Sequence, residues 1–127
     1  MKQLTKAEGL ELAFSLLQKI RQLTGGGAQF SLVSATTLMA ALKNPGELQY
    51  DLLKEVGGLD ASVLSRQLDL LDGHGRSKAS ASLKPLLVRK PSAMSRVNNV
   101  VEPTPEGDAF AEELVSFLNT KLTRLDR

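Results

Sequence analysis

The sequence has no cysteine and no tryptophan, and it carries one tyrosine, four phenylalanines and one histidine. Without cysteine the chain has neither a disulfide scaffold nor a thiolate for metal or nucleophilic chemistry, which suits a reducing cytoplasm. The one histidine, His74, has no carboxylate cluster beside it, so a zinc site of ordinary composition is excluded. No serine or threonine has a recognisable histidine–acid partner. The expectation is therefore no enzyme, no catalytic residue, no metal and no cofactor. No apolar run reaches the length of a membrane span, and the N-terminus lacks a signal-peptide pattern, so a cytoplasmic chain with no membrane partner is expected. The scarcity of aromatics leaves leucine, valine, alanine and the phenylalanines to build the core. At 127 residues the chain is a single domain by size.

What is present is uneven charge. The net charge is only +2. Yet Arg76, Lys78, Lys84, Arg89, Lys90 and Arg96 all fall between Gly73 and Val101, where there is no acidic residue. The acids lie in Glu8 and Glu11, in the stretch from Glu47 to Asp72, and from Glu102 onward. A locally basic, globally near-neutral domain fits a nucleic-acid face, and it equally fits a solvated loop.

The first two helices are legible from periodicity and caps. Thr5 to Leu23 starts with a capping box, Thr5 with Glu8, and repeats Leu10, Phe14, Leu17 and Ile20 along one face, with Leu12, Leu16 and Leu23 widening it. So broad an arc fits either full burial or packing on a second chain. Gly25-Gly26-Gly27 lacks the lysine and hydroxyl residue of a phosphate-binding loop and reads as a stop. Phe30 to Lys43 is the next helix, beginning near Ser31 or Ser34, with Leu32, Ala35, Leu38, Met39 and Leu42 as its stripe. Asn44-Pro45-Gly46 ends it.

Glu47 to Leu71 reads as two short amphipathic helices broken by Gly57-Gly58. Leu48, Leu52, Leu53 and Val56 face inward from the first. Asp60 caps the second, where Leu64, Leu68 and Leu71 are the buried stripe and Ser62, Ser65, Arg66 and Asp69 lie opposite. Gln67 either reaches a base or is simply exposed. This is the pattern of a helix-turn-helix, whose second helix enters the major groove. Asp51, Glu55, Asp69 and Asp72 have the spacings of solvated helix surface.

Gly75 to Pro85 has the composition of a mobile link that orders on contact with a partner. Leu86 to Arg89 and Val97 to Val101 are strand candidates, with a turn over Lys90 to Arg96. Together they form a basic hairpin, the wing of a winged helix. Thr104 then caps a last helix whose first turn holds Pro105 and Gly107. Phe110, Leu114, Phe117, Leu118, Leu122 and Leu125 line one of its faces.

The order of elements resembles the MarR family of winged-helix transcriptional regulators over essentially the whole chain. The residues that carry the likeness are Leu59-Asp60, Ser62 with Val63-Leu64-Ser65-Arg66, Leu68 and Leu71. They continue with Leu87-Val88-Arg89, Arg96, and Thr104-Pro105-Glu106-Gly107. The chain departs from the pattern in its second turn glycine and in Leu53, where a small alanine is usual. Its wing signature is reduced to Arg96 after Met94 and Ser95, and the link from Gly73 to Pro85 is long.

The fold class implied is mainly α with a small β-hairpin, a single winged-helix domain over 1–127. Residues 1–23 and 107–127 are its dimerisation helices, and 31–101 form the DNA-binding lobe with the wing at 86–101. The resemblance implies a homodimer joined through Leu10, Phe14, Leu17, Phe110, Leu114, Phe117, Leu118 and Leu122. It implies a repressor of transcription that binds double-stranded DNA at a pseudo-palindrome. Arg66 is the leading candidate for a base contact, because arginine bonds guanine bidentately. Ser62, Ser65 and Gln67 stand beside it. Arg89, Lys90 and Arg96 are wing contacts to phosphate, and Arg76, Lys78 and Lys84 lie along the link. Relatives hold small aromatic effectors between dimer helices and lobe; here Phe14, Phe30, Met39 and Phe110 are either such a cleft or ordinary core. The alternative use of the fold is a protein-interaction module with weak or no specific DNA binding, favoured by the altered turn and the reduced wing signature.

Overall fold

A computed structural model describes residues 3–24, 30–72, 84–92 and 95–125, with backbone alone at 95–98. The expected link from Gly75 to Pro85 therefore lies outside the described residues except for Lys84 and Pro85, and His74 and Met94 also lie outside them.

Helix α1, Lys6–Leu23, opens on the expected capping box. The Thr5 hydroxyl accepts the Glu8 N–H at 3.2 Å, and the Glu8 carboxylate accepts the Thr5 N–H at 3.1 Å. Its apolar arc divides into two faces. Ile20 is in the core with Leu16 and Leu23 packed against it, while Leu10, Phe14 and Leu17 are 62%, 59% and 50% exposed.

Helix α2, Leu32–Lys43, is capped by Ser31 in a second box with Ser34. Its buried side includes Ser34, Leu38 and Ala41. Leu32, expected in the stripe, is 71% exposed. It stands two residues before Ser34, which at about 100° per residue puts it on the opposite side of the helix. Thr37 is tolerated inside because its hydroxyl donates to the Val33 carbonyl at 2.8 Å.

The next element was not legible in the sequence. Glu47–Leu48 form a short strand, β1, antiparallel to Val101 and Val100. Leu48 thus belongs to a sheet and caps the following helix, rather than contributing to its apolar face. Helix α3, Gln49–Val56, ends at Gly57, and Gly57 and Gly58 both have φ of +67°. Two successive residues in the left-handed region account for two glycines in this turn. Helix α4, Ala61–Asp72, follows and buries Leu64, Leu68 and Leu71. Those three join Leu38, Leu52, Leu87 and Val101 in the core.

The hairpin is longer than its composition suggests. Strand β2 is Leu87–Ser92 and β3 is Ser95–Pro103, in a sheet ordered β1-β3-β2. Lys90 and Pro91, expected in the turn, are strand residues paired with Val100 and Asn99. Proline is admissible there because β2 is an edge strand. A register shift between Pro91 and Ser92 then gives β3 extra residues opposite the break.

Helix α5, Pro105–Leu125, starts at a junction built on one residue, Leu86. The Leu86 N–H donates to the Leu71 carbonyl at 2.8 Å, and its carbonyl accepts the Thr104 N–H at 3.1 Å. Thr104 caps α5 by accepting the Gly107 N–H at 3.0 Å, while its hydroxyl donates to the Pro85 carbonyl at 2.7 Å. A Cβ at Gly107 would stand 2.0 Å from the Leu86 oxygen. The glycine of the T-P-E-G entry is thus required by close approach.

Phe110 and Leu114, expected on a dimerisation face, are 5% and 6% exposed and belong to the core of the single chain. They sit on the side of α5 that meets the lobe. The outward apolar residues of α5 are Val115, absent from the sequence reading, and Leu122. Phe117 and Leu118 lie between these extremes. Lys19 of α1 and Glu113 of α5 form an ion pair at 3.0 Å that ties the two helices together.

Candidate nucleic-acid interface

The candidate site is the outer side of α4 with the β2–β3 wing beside it. Three fully buried leucines fix which side of α4 faces out. Its first turn is secured by Asp60, whose carboxylate accepts the Val63 N–H at 2.9 Å and the Ser62 hydroxyl at 2.6 Å. The Ser62 bond is the largest cause holding the Asp60 carboxyl below the usual carboxylate range; the Val63 N–H and the charge of Arg66 act in the same direction. Ser62 and Arg66 are exposed and Ser65 is half-buried. The surface offered is a cation flanked by two hydroxyls on a rigid helix.

Gln67 is different. It is half-buried, and its side-chain oxygen accepts the Ser34 hydroxyl of α2 at 2.5 Å. It is turned toward α2, away from the outer side of α4 that carries Arg66.

Arg89 also differs from expectation. Its guanidinium donates to Asp72 at 2.5 Å and to Asp69, and its side chain is only 14% exposed. Burial opposes the charge, but the bonds to the two carboxylates more than offset this and raise the guanidinium pKa. An arginine so engaged clamps the root of the wing to α4 and is withdrawn from phosphate contact. Asp69 and Asp72, expected as solvated surface, are its partners, and the Asp72 side chain is 1% exposed. The signal was available in the sequence as two acids one helical turn apart, but their partner lies 17 and 20 positions downstream.

Lys90 is paired with Glu102 at 2.9 Å, both side chains being substantially exposed. Such a pair contributes little, of order 0–1 kcal/mol. Lys84 is exposed just before β2. Arg76 and Lys78 lie outside the described residues, and of Arg96 only the β3 backbone is described.

Behind α4, Glu55 joins α3 to the end of α2 by accepting from Lys43 at 2.6 Å and from Asn44 at 2.8 Å. One Glu47 oxygen is buried there with no hydrogen-bond partner among the described residues. Burial first, and then Glu55 and Asp51, push the Glu47 carboxyl up. Phe110 is core, and Phe30 and Met39 pack on that core. Phe14 instead lines a groove between α1 and α5 with Lys19, Phe117 and Lys121. Of the two readings of these residues, core holds for Phe30, Met39 and Phe110 in the single chain, while Phe14 stands apart from them. Among the described residues no three histidine or carboxylate side chains converge to hold a metal ion, and no helix is long and apolar enough to cross a membrane.

No protein-family model and no curated protein matches the chain. Solved structures do match. The YusO protein from Bacillus subtilis aligns with a TM-score of 0.67 at 16% identity, over 94% of this chain and 74% of that one. A MarR-family transcriptional regulator from Rhodococcus sp. RHA1 aligns at 0.55 and 17% identity, over 97% of this chain and 82% of that one. The transcriptional repressor CouR bound to a 23-mer DNA duplex aligns at 0.54 and 23% identity, over 98% and 85% of the two chains. Likeness at these identities establishes the fold, a MarR-like winged helix-turn-helix.

Proposed function

We propose that this winged-helix chain is a sequence-specific regulator of transcription, a homodimer that represses by occupying a pseudo-palindromic site in double-stranded DNA. The observation that carries the reading is α4 itself. It is capped by Asp60, seated on three buried leucines, and offers Ser62, Ser65 and Arg66 on its outer side. A helix with that surface fits the major groove, where Arg66 takes a guanine edge and the serines take base edges or phosphates. Lys84 and Lys90 supply positional, salt-dependent contacts beside it. The DNA complex of CouR, on the same fold, supports the assignment.

Support for two copies comes from Leu10, Phe14 and Leu17 on α1 and Val115 and Leu122 on α5, which are large apolar side chains left exposed by the single chain. A soluble monomer rarely keeps such residues together at its surface. A second copy places two α4 helices about one helical turn of DNA, or a multiple of it, apart. The runner-up, a protein-docking winged helix, is favoured by the loss of Arg89 from the positive surface of the wing.

The deciding experiment is selection of bound sequences from a random duplex library, with Arg66→Ala in parallel. A pseudo-palindrome that emerges with the wild type and disappears with the variant supports the dimeric reader. A folded dimer that enriches nothing supports the docking module.

A further inference from the structure

One polar contact joins α2 to α4 through side chains, Ser34 with Gln67. Ser34 is 0% exposed. Its hydroxyl accepts the Ser31 N–H at 3.2 Å, lies 3.2 Å from the Ser31 hydroxyl, and gives its one proton to the Gln67 oxygen at 2.5 Å. The N-cap of α2 is thereby connected to the second turn of α4, at the residue next to Arg66. We infer that Gln67 is a positioning residue which, through Ser34, fixes the rotation of α4 about its axis and so sets the sequence discrimination of Arg66.

The physical reason is directionality. Leu64, Leu68 and Leu71 hold α4 by burial, whose attraction is non-directional. The directional ties of α4 to the wing, Arg89 with Asp69 and Asp72 and the Leu86 N–H with the Leu71 carbonyl, all lie C-terminal to Arg66, and the Ser34–Gln67 bond is the one beside it. At a radius of about 6 Å, a rotation of about 20° carries a side-chain tip roughly 2 Å. The whole useful range of an N–H···O bond is only about 0.5 Å, so a bidentate arginine contact does not survive that displacement. A phosphate contact does survive it, because a flexible cation re-aims. The inference rests on the DNA-reading assignment above and makes Gln67 act from the lobe side of the helix rather than on a base.

Two substitutions break the same bond from opposite ends. Gln67→Met leaves the Ser31–Ser34 cap intact, and Ser34→Ala changes a residue that cannot touch DNA. Each variant, their double, and the wild type are put through the random-duplex selection, then through competition between the selected site and a scrambled duplex at two salt concentrations. Thermal melting verifies folding, and Gln67→Met stands alone if Ser34→Ala fails to fold. The expected result is about a tenfold fall in preference for the selected site in each single variant. The double should fall no further, and affinity for scrambled DNA and its salt dependence should be unchanged. Retained preference in Gln67→Met overturns the inference. So does a loss confined to Gln67→Met while folded Ser34→Ala keeps the wild-type preference, because Gln67 is then itself the reader. A wild type that enriches no sequence removes the DNA-reading assignment and this role with it, and that failure is visible before any variant is tested.

Discussion

Replacing Arg89 with methionine tests the clamp between the wing and α4. The substitution keeps most of the aliphatic length and removes the guanidinium that bonds Asp69 and Asp72. The two carboxylates differ in what they lose. Asp69 is 42% exposed and regains water, whereas Asp72 is 1% exposed and keeps its charge inside without the cation. Removing one member of a buried pair typically costs about 3–5 kcal/mol, against a total stability of order 5–15 kcal/mol for a domain. The expected loss for Arg89→Met is at the lower end, about 3 kcal/mol, since one of its two partners is solvated. Asp69→Asn should cost less than about 1 kcal/mol, as exposed pairs do. Arg89→Met combined with Asp72→Leu should recover much of the loss, because no buried charge then remains. Urea denaturation followed by far-UV circular dichroism, at one fixed protein concentration, reads all four proteins. A loss below about 1 kcal/mol in Arg89→Met, or a double variant no better than the single, refutes the clamp.

Three further comparisons carry expected outcomes. Gly107→Ala sets a methyl 2.0 Å from the Leu86 carbonyl oxygen and should cost about 1–3 kcal/mol or more. Gly9→Ala, in a helix with open space at that position, should gain up to about 1 kcal/mol, and thermal melts of the pair separate a packing requirement from helix propensity. Glu47→Gln should raise the melting temperature at neutral pH. The folded state raises the Glu47 pKa, so the charged form is penalised fully above the raised value and not at all below the ordinary 4.5, and the gain should vanish in melts below that pH. Phe14→Asp should leave the fold intact and shift sedimentation toward monomer, whereas Phe110→Ala should cost about 3–5 kcal/mol of folding stability.

The helix-turn-helix was readable because its determinants are local. Asp60 caps the residues that follow it, and the leucines of α4 repeat at the helical period, so neighbours in sequence report on neighbours in space. The T-P-E-G entry was readable as a helix start for the same reason. Its glycine was not explained by sequence, because the atom it avoids belongs to Leu86, some twenty positions earlier. Strand β1 was missed because two residues have no periodicity, and only pairing with Val100 and Val101 defines it. Pro91 was read as turn because nothing local says that its strand lies at an edge. The site residues divide along the same line. Ser62 and Arg66 were placed by helical phase alone. Arg89, Gln67 and Asp72 were misassigned because each is claimed by a side chain from another element.

The backbone of Leu86 has a consequence for how this molecule comes apart. Its N–H donates to the last turn of α4 and its C=O accepts from the residue that caps α5, so its two adjacent peptide groups bridge the two helices. The end of α4, the root of the wing and the start of α5 are thereby joined through one residue. Amide hydrogen exchange should therefore release Leu86 and Thr104 at a common free energy, close to that of the deepest core protons. Opening of the last turn of α4 and opening of the α5 cap are then read as one event in the exchange of those two amides.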